Sequence, residues 1–343
     1  MDFRAPLCFV SLSGMERIRG LDCIRFISAA WVMLSHSGIH LYHDAPVPPW
    51  IRLLVNNTFC GVAAVIVFFV ISGYCIHFPQ RHSLTISSLT GYGLRRSIRI
   101  LLPLLAALSL CALLQTQGFA GANLEAILWS IIAESIYYLL YPALLAVRRK
   151  IGWRMLIELS CIGWLMLIAL EPRPEYTTYH VYGTLWTWLV GLPCWLLGCL
   201  LAERTLEVGE PLTLRKLWML RLFIWAASML CSMANFHSPL RYVWSLNIFA
   251  LTVFFWLEQE IRYYNRQNPS MLLERAGAGA YSLYLVHYPI LVVLASYFPG
   301  TGSILLGWIG VFAASFLFYK VIEQPSHHLA RSAGTSVEAA KKS

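Results

Sequence analysis

Two histidines and three arginines sit in stretches whose other residues are almost all apolar. His36 lies eleven residues after Arg25 and fourteen after Asp22, and His287 sits in Tyr284-Leu285-Val286-His287-Tyr288-Pro289. Imidazole exchanges protons near neutral pH, so each ring could act as a general base toward a weak nucleophile such as a hydroxyl. Arg96 and Arg99, in Arg95-Arg96-Ser97-Ile98-Arg99, are i, i+3 neighbours on a helix. Two guanidiniums on one face, beside a helix start that itself favours anions, could clamp phosphates by paired hydrogen bonds. Plainer readings compete with these. Asp22 and Arg25 could be an interfacial pair, the histidines could bond neighbouring helices, and the arginines could simply anchor the inner membrane surface.

On a helix, Arg25 and His36 fall within about 60° of Asp22 on one side. Eleven residues at ~1.5 Å each raise His36 about 16 Å above Arg25. Ala29 stands between them on the same stripe and is expected to leave space, so the stripe should line a cavity with a cation at its inner mouth. His40 and His43 continue the stripe. Histidines at i, i+4 and i+7 could hold a metal, but interfacial polarity explains them more simply and no metal is expected.

A second polar face carries Ser130, Glu134, Tyr137, Tyr138 and Tyr141, all within about 60° of Glu134 on a helix. A buried carboxylate there must find partners or stay protonated, and hydrogen-bonded contact between helices is the alternative role. Ser72-Gly73, a small pair after Phe68-Phe69-Val70-Ile71, marks either a close helix contact or a kink beside a cavity. His287, two residues before the ladder-breaking Pro289, is either catalytic or a structural hydrogen-bond partner.

The elements that must hold these groups follow from composition. Of 343 residues, 58% are hydrophobic and 13% charged, about half the charge of a soluble protein. Such a chain cannot cover a water-facing surface, which excludes a soluble enzyme, a disordered tail and a disulfide scaffold. Nine scattered cysteines without a C-x-x-C pair support neither zinc nor a disulfide framework. A bilayer core needs roughly 20 apolar residues per helix. Ten runs are long enough: 22–43, 59–78, 98–117, 124–147, 153–170, 181–202, 217–235, 239–258, 280–298 and 302–322. The expected fold is an all-α polytopic bundle of about ten transmembrane helices.

The net charge of +9 could suggest nucleic acid, but the basic residues lie in short clusters between apolar runs, and no nucleic-acid partner is expected. With the N-terminus in the cytoplasm, 22 of the 26 Lys and Arg fall in inner segments and three in outer ones. That bias orients both termini to the cytoplasm. Met15 could be the natural start, leaving 1–14 as a disordered leader before a membrane domain over 15–326 and a cytoplasmic tail over 327–343.

Read in order, these segments resemble the acyltransferase-3 family of integral membrane acyltransferases. The resemblance covers about 18–326. It rests on Gly20-Leu21-Asp22-Cys23-Ile24-Arg25 with His36, Phe68 to Gly73, Arg96-Ser97-Ile98-Arg99-Ile100, Trp129-Ser130 through Glu134 to Tyr137-Tyr138 with Pro142, Tyr281 to His287, and Ile322-Glu323-Gln324-Pro325. Leu102, Cys23 and Ser135 depart from the usual pattern.

The resemblance implies transfer of an acyl group, usually acetyl, from cytoplasmic acetyl-CoA or another acyl-CoA to a hydroxyl on a cell-surface or lipid-linked glycan. It implies a catalytic His36 with Arg25, Arg96 and Arg99 supporting the donor; the mechanism expected from these residues has His36 as general base, oriented by Asp22 or Glu134. Ser72, Ser130, Tyr137 and His287 complete the candidate substrate site, Ser130, Tyr137 or Arg25 facing the oxyanion. Direct transfer and an acyl-enzyme on His36 or a serine both stay open. No permanently bound cofactor is expected. The setting is the inner or plasma membrane, where a separate extracytoplasmic transferase could finish the reaction. A transporter or flippase is the alternative, although no repeat symmetry supports it.

Overall fold

The computed structural model describes residues 18–41, 48–82, 89–114, 122–171, 179–204, 210–297 and 303–340. Residues 1–14 and His43 lie outside them, as does the His40 side chain. Every regular element among the described residues is helical, the one arrangement besides a closed barrel that satisfies backbone groups within lipid. The first six helices are α1 (Leu21–Leu41), α2 (Pro49–Thr58), α3 (Gly61–His77), α4 (Leu89–Leu113), α5 (Ala122–Leu170) and α6 (Gly183–Arg204). Then come α7 (Leu214–His237), α8 (Tyr242–Tyr264), α9 (Met271–Gly277), α10 (Ala280–Tyr297) and α11 (Ser303–Phe318). A π turn over Tyr319–Glu323 leads into α12 (Gln324–Ala340).

Each of the ten apolar runs coincides with a helix, the fourth and fifth with the two parts of α5, which Gly152 breaks at φ 75°. Six helices among the described residues are long and apolar enough to cross a membrane, or seven when α9 and α10, bent by 68°, make one span. The protein is a multi-pass membrane bundle. The helices α1 and α8 are not among the six, and both carry ionisable residues: Asp22 and Arg25 in one, Glu258, Glu260 and Arg262 in the other.

The centre of the bundle is α3 against α6, each with 72% of its apolar window buried, against 17% for α4. Glycines permit the approach. A Cβ at Gly198 would lie 2.0 Å from the Val70 carbonyl oxygen, and one at Gly73 would lie 2.0 Å from that of Trp195. Small residues at a crossing are how membrane helices gain close packing without a hydrophobic drive between them. Around this pair, α5 and α8 pack on α6, α1 joins α3 to α10, and α12 lies along α4.

Two expectations change. The helix α4 begins at Leu89, so Arg96 and Arg99 stand about 10 and 15 Å beyond its start, not at a helix N-terminus. Hydropathy marks only the apolar part of a helix, and the polar first turns are held by α12, where the Arg95 stem lies over Gly334. Ala29 leaves no hollow. It is fully buried with Met33, Ala280, Leu283, Leu291 and Val311, because its small side chain lets α1 and α10 close together.

Candidate active site

The arginine end is built where α1, α3, α4 and α5 converge. At the start of α1, the Gly20 N–H donates to the Glu274 carboxylate of α9 at 2.8 Å, which fixes the helix entry. One turn on, Arg25 donates to Asp22 at 3.0 Å and keeps 27% of its side chain exposed. The charges of Arg25, Arg96 and Arg99 all act on the Cys75 thiol of α3. Arg96 lies 5.6 Å from the Tyr138 ring centroid and 5.8 Å from that of Tyr92. Three guanidiniums from two helices therefore lie close enough to act on one another, and their mutual repulsion favours an anion among them.

The imidazole end is built by α1 and α10. His36 Nδ1 lies 3.0 Å from His287 Nε2, and the Tyr288 ring stands edge-on to His36 at 5.7 Å. His287 is fully buried, with Nδ1 2.8 Å from the Tyr284 carbonyl oxygen and 3.2 Å from that of Leu283. His36 itself is only half-buried.

Polar side chains connect the two ends. The Tyr284 ring lies 6.0 Å from that of His287, and its hydroxyl is 2.6 Å from Ser130 Oγ. One turn along α5, Glu134 Oε1 accepts from the Tyr138 hydroxyl at 2.5 Å. Ser72 Oγ sits 2.9 Å from that hydroxyl and accepts from Trp195 Nε1 at 3.2 Å. Since Tyr138 donates to Glu134, Ser72 donates to Tyr138. From Ser130 to Tyr138 the helix rises about 12 Å, so the ladder covers the span from the imidazole pair to Arg96.

The acyltransferase domain family matches residues 18–320. The chain belongs to that family. No curated protein matches it, and no solved structure does. Membership makes the bundle a membrane acyltransferase.

Several expected site residues sit elsewhere than spacing suggested. Asp22 cannot orient His36, because fourteen residues of α1 hold them about 21 Å apart; its carboxylate pairs with Arg25. Glu134 is engaged with Tyr138, and the ring nitrogen facing His36 Nδ1 belongs to His287. Tyr137 is fully buried and donates to the Trp188 carbonyl of α6 at 2.8 Å, which occupies its hydroxyl hydrogen.

Two groups of this acyltransferase were not among the expected site residues, although Glu323 belongs to the Ile322-Glu323-Gln324-Pro325 segment. Glu323 in the π turn is 2% exposed and accepts from the Ser282 N–H at 2.9 Å and hydroxyl at 2.5 Å. Its charge acts on Arg99 and Arg25, placing a carboxylate beside the arginine end; π turns recur at functional sites. His77 Nε2 lies 2.7 Å from Glu203 Oε1 and its Nδ1 2.9 Å from the Tyr141 hydroxyl. Arg148 and Trp153, on either side of the Gly152 break, both donate to that same Glu203 oxygen, so the cluster locks the break in α5. His77, an imidazole closing an apolar run, was the available signal; nothing in the sequence marked Glu203 as its partner.

Proposed function

We propose that this acyltransferase moves an acetyl group from cytoplasmic acetyl-CoA to a hydroxyl of a cell-surface or lipid-linked glycan, with His36 as general base. Both termini face the cytoplasm of the inner or plasma membrane, so the arginine end meets the cytosolic donor. The observation that carries the reading is the half-buried His36 imidazole at one end of a polar ladder whose other end holds three guanidiniums. Arg25, Arg96 and Arg99 bind the donor phosphates, and the thioester extends toward the ladder.

As the acceptor oxygen attacks the acetyl carbonyl carbon, His36 takes the hydroxyl proton. The tetrahedral intermediate collapses by breaking the carbon–sulfur bond. CoA leaves as thiolate and receives the proton from the imidazolium, so the products are the acetyl ester and CoA thiol. Hydrogen-bond donors aimed at the developing oxyanion lower the barrier, and the Ser130–Tyr284 hydroxyl pair beside His287 is suited to that role.

Inverted membrane vesicles supplied with [14C]acetyl-CoA test the reading by the label incorporated into glycan. His36→Ala should lower incorporation about 10²–10⁴-fold while the protein still inserts. Unchanged incorporation by an inserted variant refutes His36 as the base.

A further inference from the structure

We infer that His287 is a positioning residue that holds His36 as its Nδ1–H tautomer, leaving the basic lone pair on Nε2. This rests on the reading of His36 as the base. A carbonyl oxygen can only accept, so the His287 Nδ1 that lies 2.8 Å from Tyr284 O and 3.2 Å from Leu283 O carries a hydrogen. The ring is fully buried and a charge there is costly, so His287 is neutral and its Nε2 has no hydrogen. That nitrogen accepts across the 3.0 Å contact, and His36 Nδ1 must donate.

A neutral ring with hydrogen on Nδ1 has its lone pair on Nε2. When Nε2 takes the acceptor's proton, Nδ1–H keeps its bond to His287, so the imidazolium forms without rearrangement. A buried carboxylate performs this service in serine hydrolases. Here a neutral imidazole does it, which avoids desolvating an anion in the membrane interior. The register follows from α10 alone, since its own backbone carbonyls, three and four residues back, set the proton of His287.

Nitrogen NMR of the full-length protein labelled with ¹⁵N-histidine, with the His36 signals assigned by their loss in His36→Ala, reads the tautomer directly. The expected spectrum has a protonated Nδ1 and an unprotonated Nε2 for His36; hydrogen on Nε2 instead overturns the inference. Kinetics supply a second reading with [14C]acetyl-CoA as donor. His287→Met should lower kcat about 100-fold with little change in the donor KM. Glutamine carries a carbonyl oxygen at the reach of Nε2, so His287→Gln should restore most of that loss. Equal rates for the two variants refute the positioning role. Full activity in His36→Ala would instead remove the base, while the spectrum still decides the tautomer.

Discussion

A methyl group added at Gly198 would sit 2.0 Å from the Val70 carbonyl oxygen and 2.7 Å from the Tyr74 nitrogen. Both are backbone atoms of α3, so no side chain can turn aside. Restoring an ordinary carbon–oxygen contact of about 3.4 Å requires the two helices to part by roughly 1.4 Å at this crossing. The Trp195–Ser72 hydrogen bond, already 3.2 Å long, does not survive such a shift. Overpacking costs about 1–3 kcal/mol and the lost bond about 1 kcal/mol, while alanine returns up to about 1 kcal/mol of helix propensity. Gly198→Ala should therefore destabilise the bundle by about 1–3 kcal/mol. Gly307 is the control, because a Cβ there meets nothing within 4 Å and Gly307→Ala should be neutral or stabilising. Thermal unfolding of the detergent-solubilised protein, followed by tryptophan fluorescence, compares the two. A Gly198→Ala protein that melts as high as Gly307→Ala refutes the close-packed crossing.

The break in α5 offers a test of backbone conformation without packing. Gly152 has φ 75° and ψ 169°, and a Cβ there would meet no atom within 4 Å, so Gly152→Ala should cost about 1–3 kcal/mol from a backbone conformation essentially confined to glycine; an unchanged melting temperature would show that the break tolerates a side chain. At the arginine end, Arg96→Ala with Arg99→Ala should raise the KM for acetyl-CoA at least tenfold, since one hydrogen bond to a charged group contributes about 1.5–3 kcal/mol. Steady-state kinetics in membranes check this, and an unchanged KM would remove both residues from donor binding.

Much of the architecture was legible because a membrane imposes few choices. Apolar length predicts a helix at each run, and the helical period alone puts Asp22 with Arg25 and Arg96 with Arg99. Those pairings are local, and the Asp22–Arg25 bond at 3.0 Å is the direct result of an i, i+3 spacing. The extent of α4 was less legible, because hydropathy is silent about polar turns that a partner such as α12 supports.

What only tertiary structure decided is which face meets which. Periodicity sets the residues that share a stripe, but the opposing helix is chosen by shape, glycine by glycine, in a solvent where apolar faces are nearly equivalent. His36 and His287 are 251 residues apart, and no spacing rule connects them. Ala29 reads as an opening on one helix and becomes a tight contact once α10 is laid against it. Glu134 meets Tyr138 within α5 by its i, i+4 spacing, but Ser72 reaches the same hydroxyl only because α3 and α5 converge. Most chemistry-bearing residues were visible in the chain; their partners on other helices depend on how the helices pack against one another.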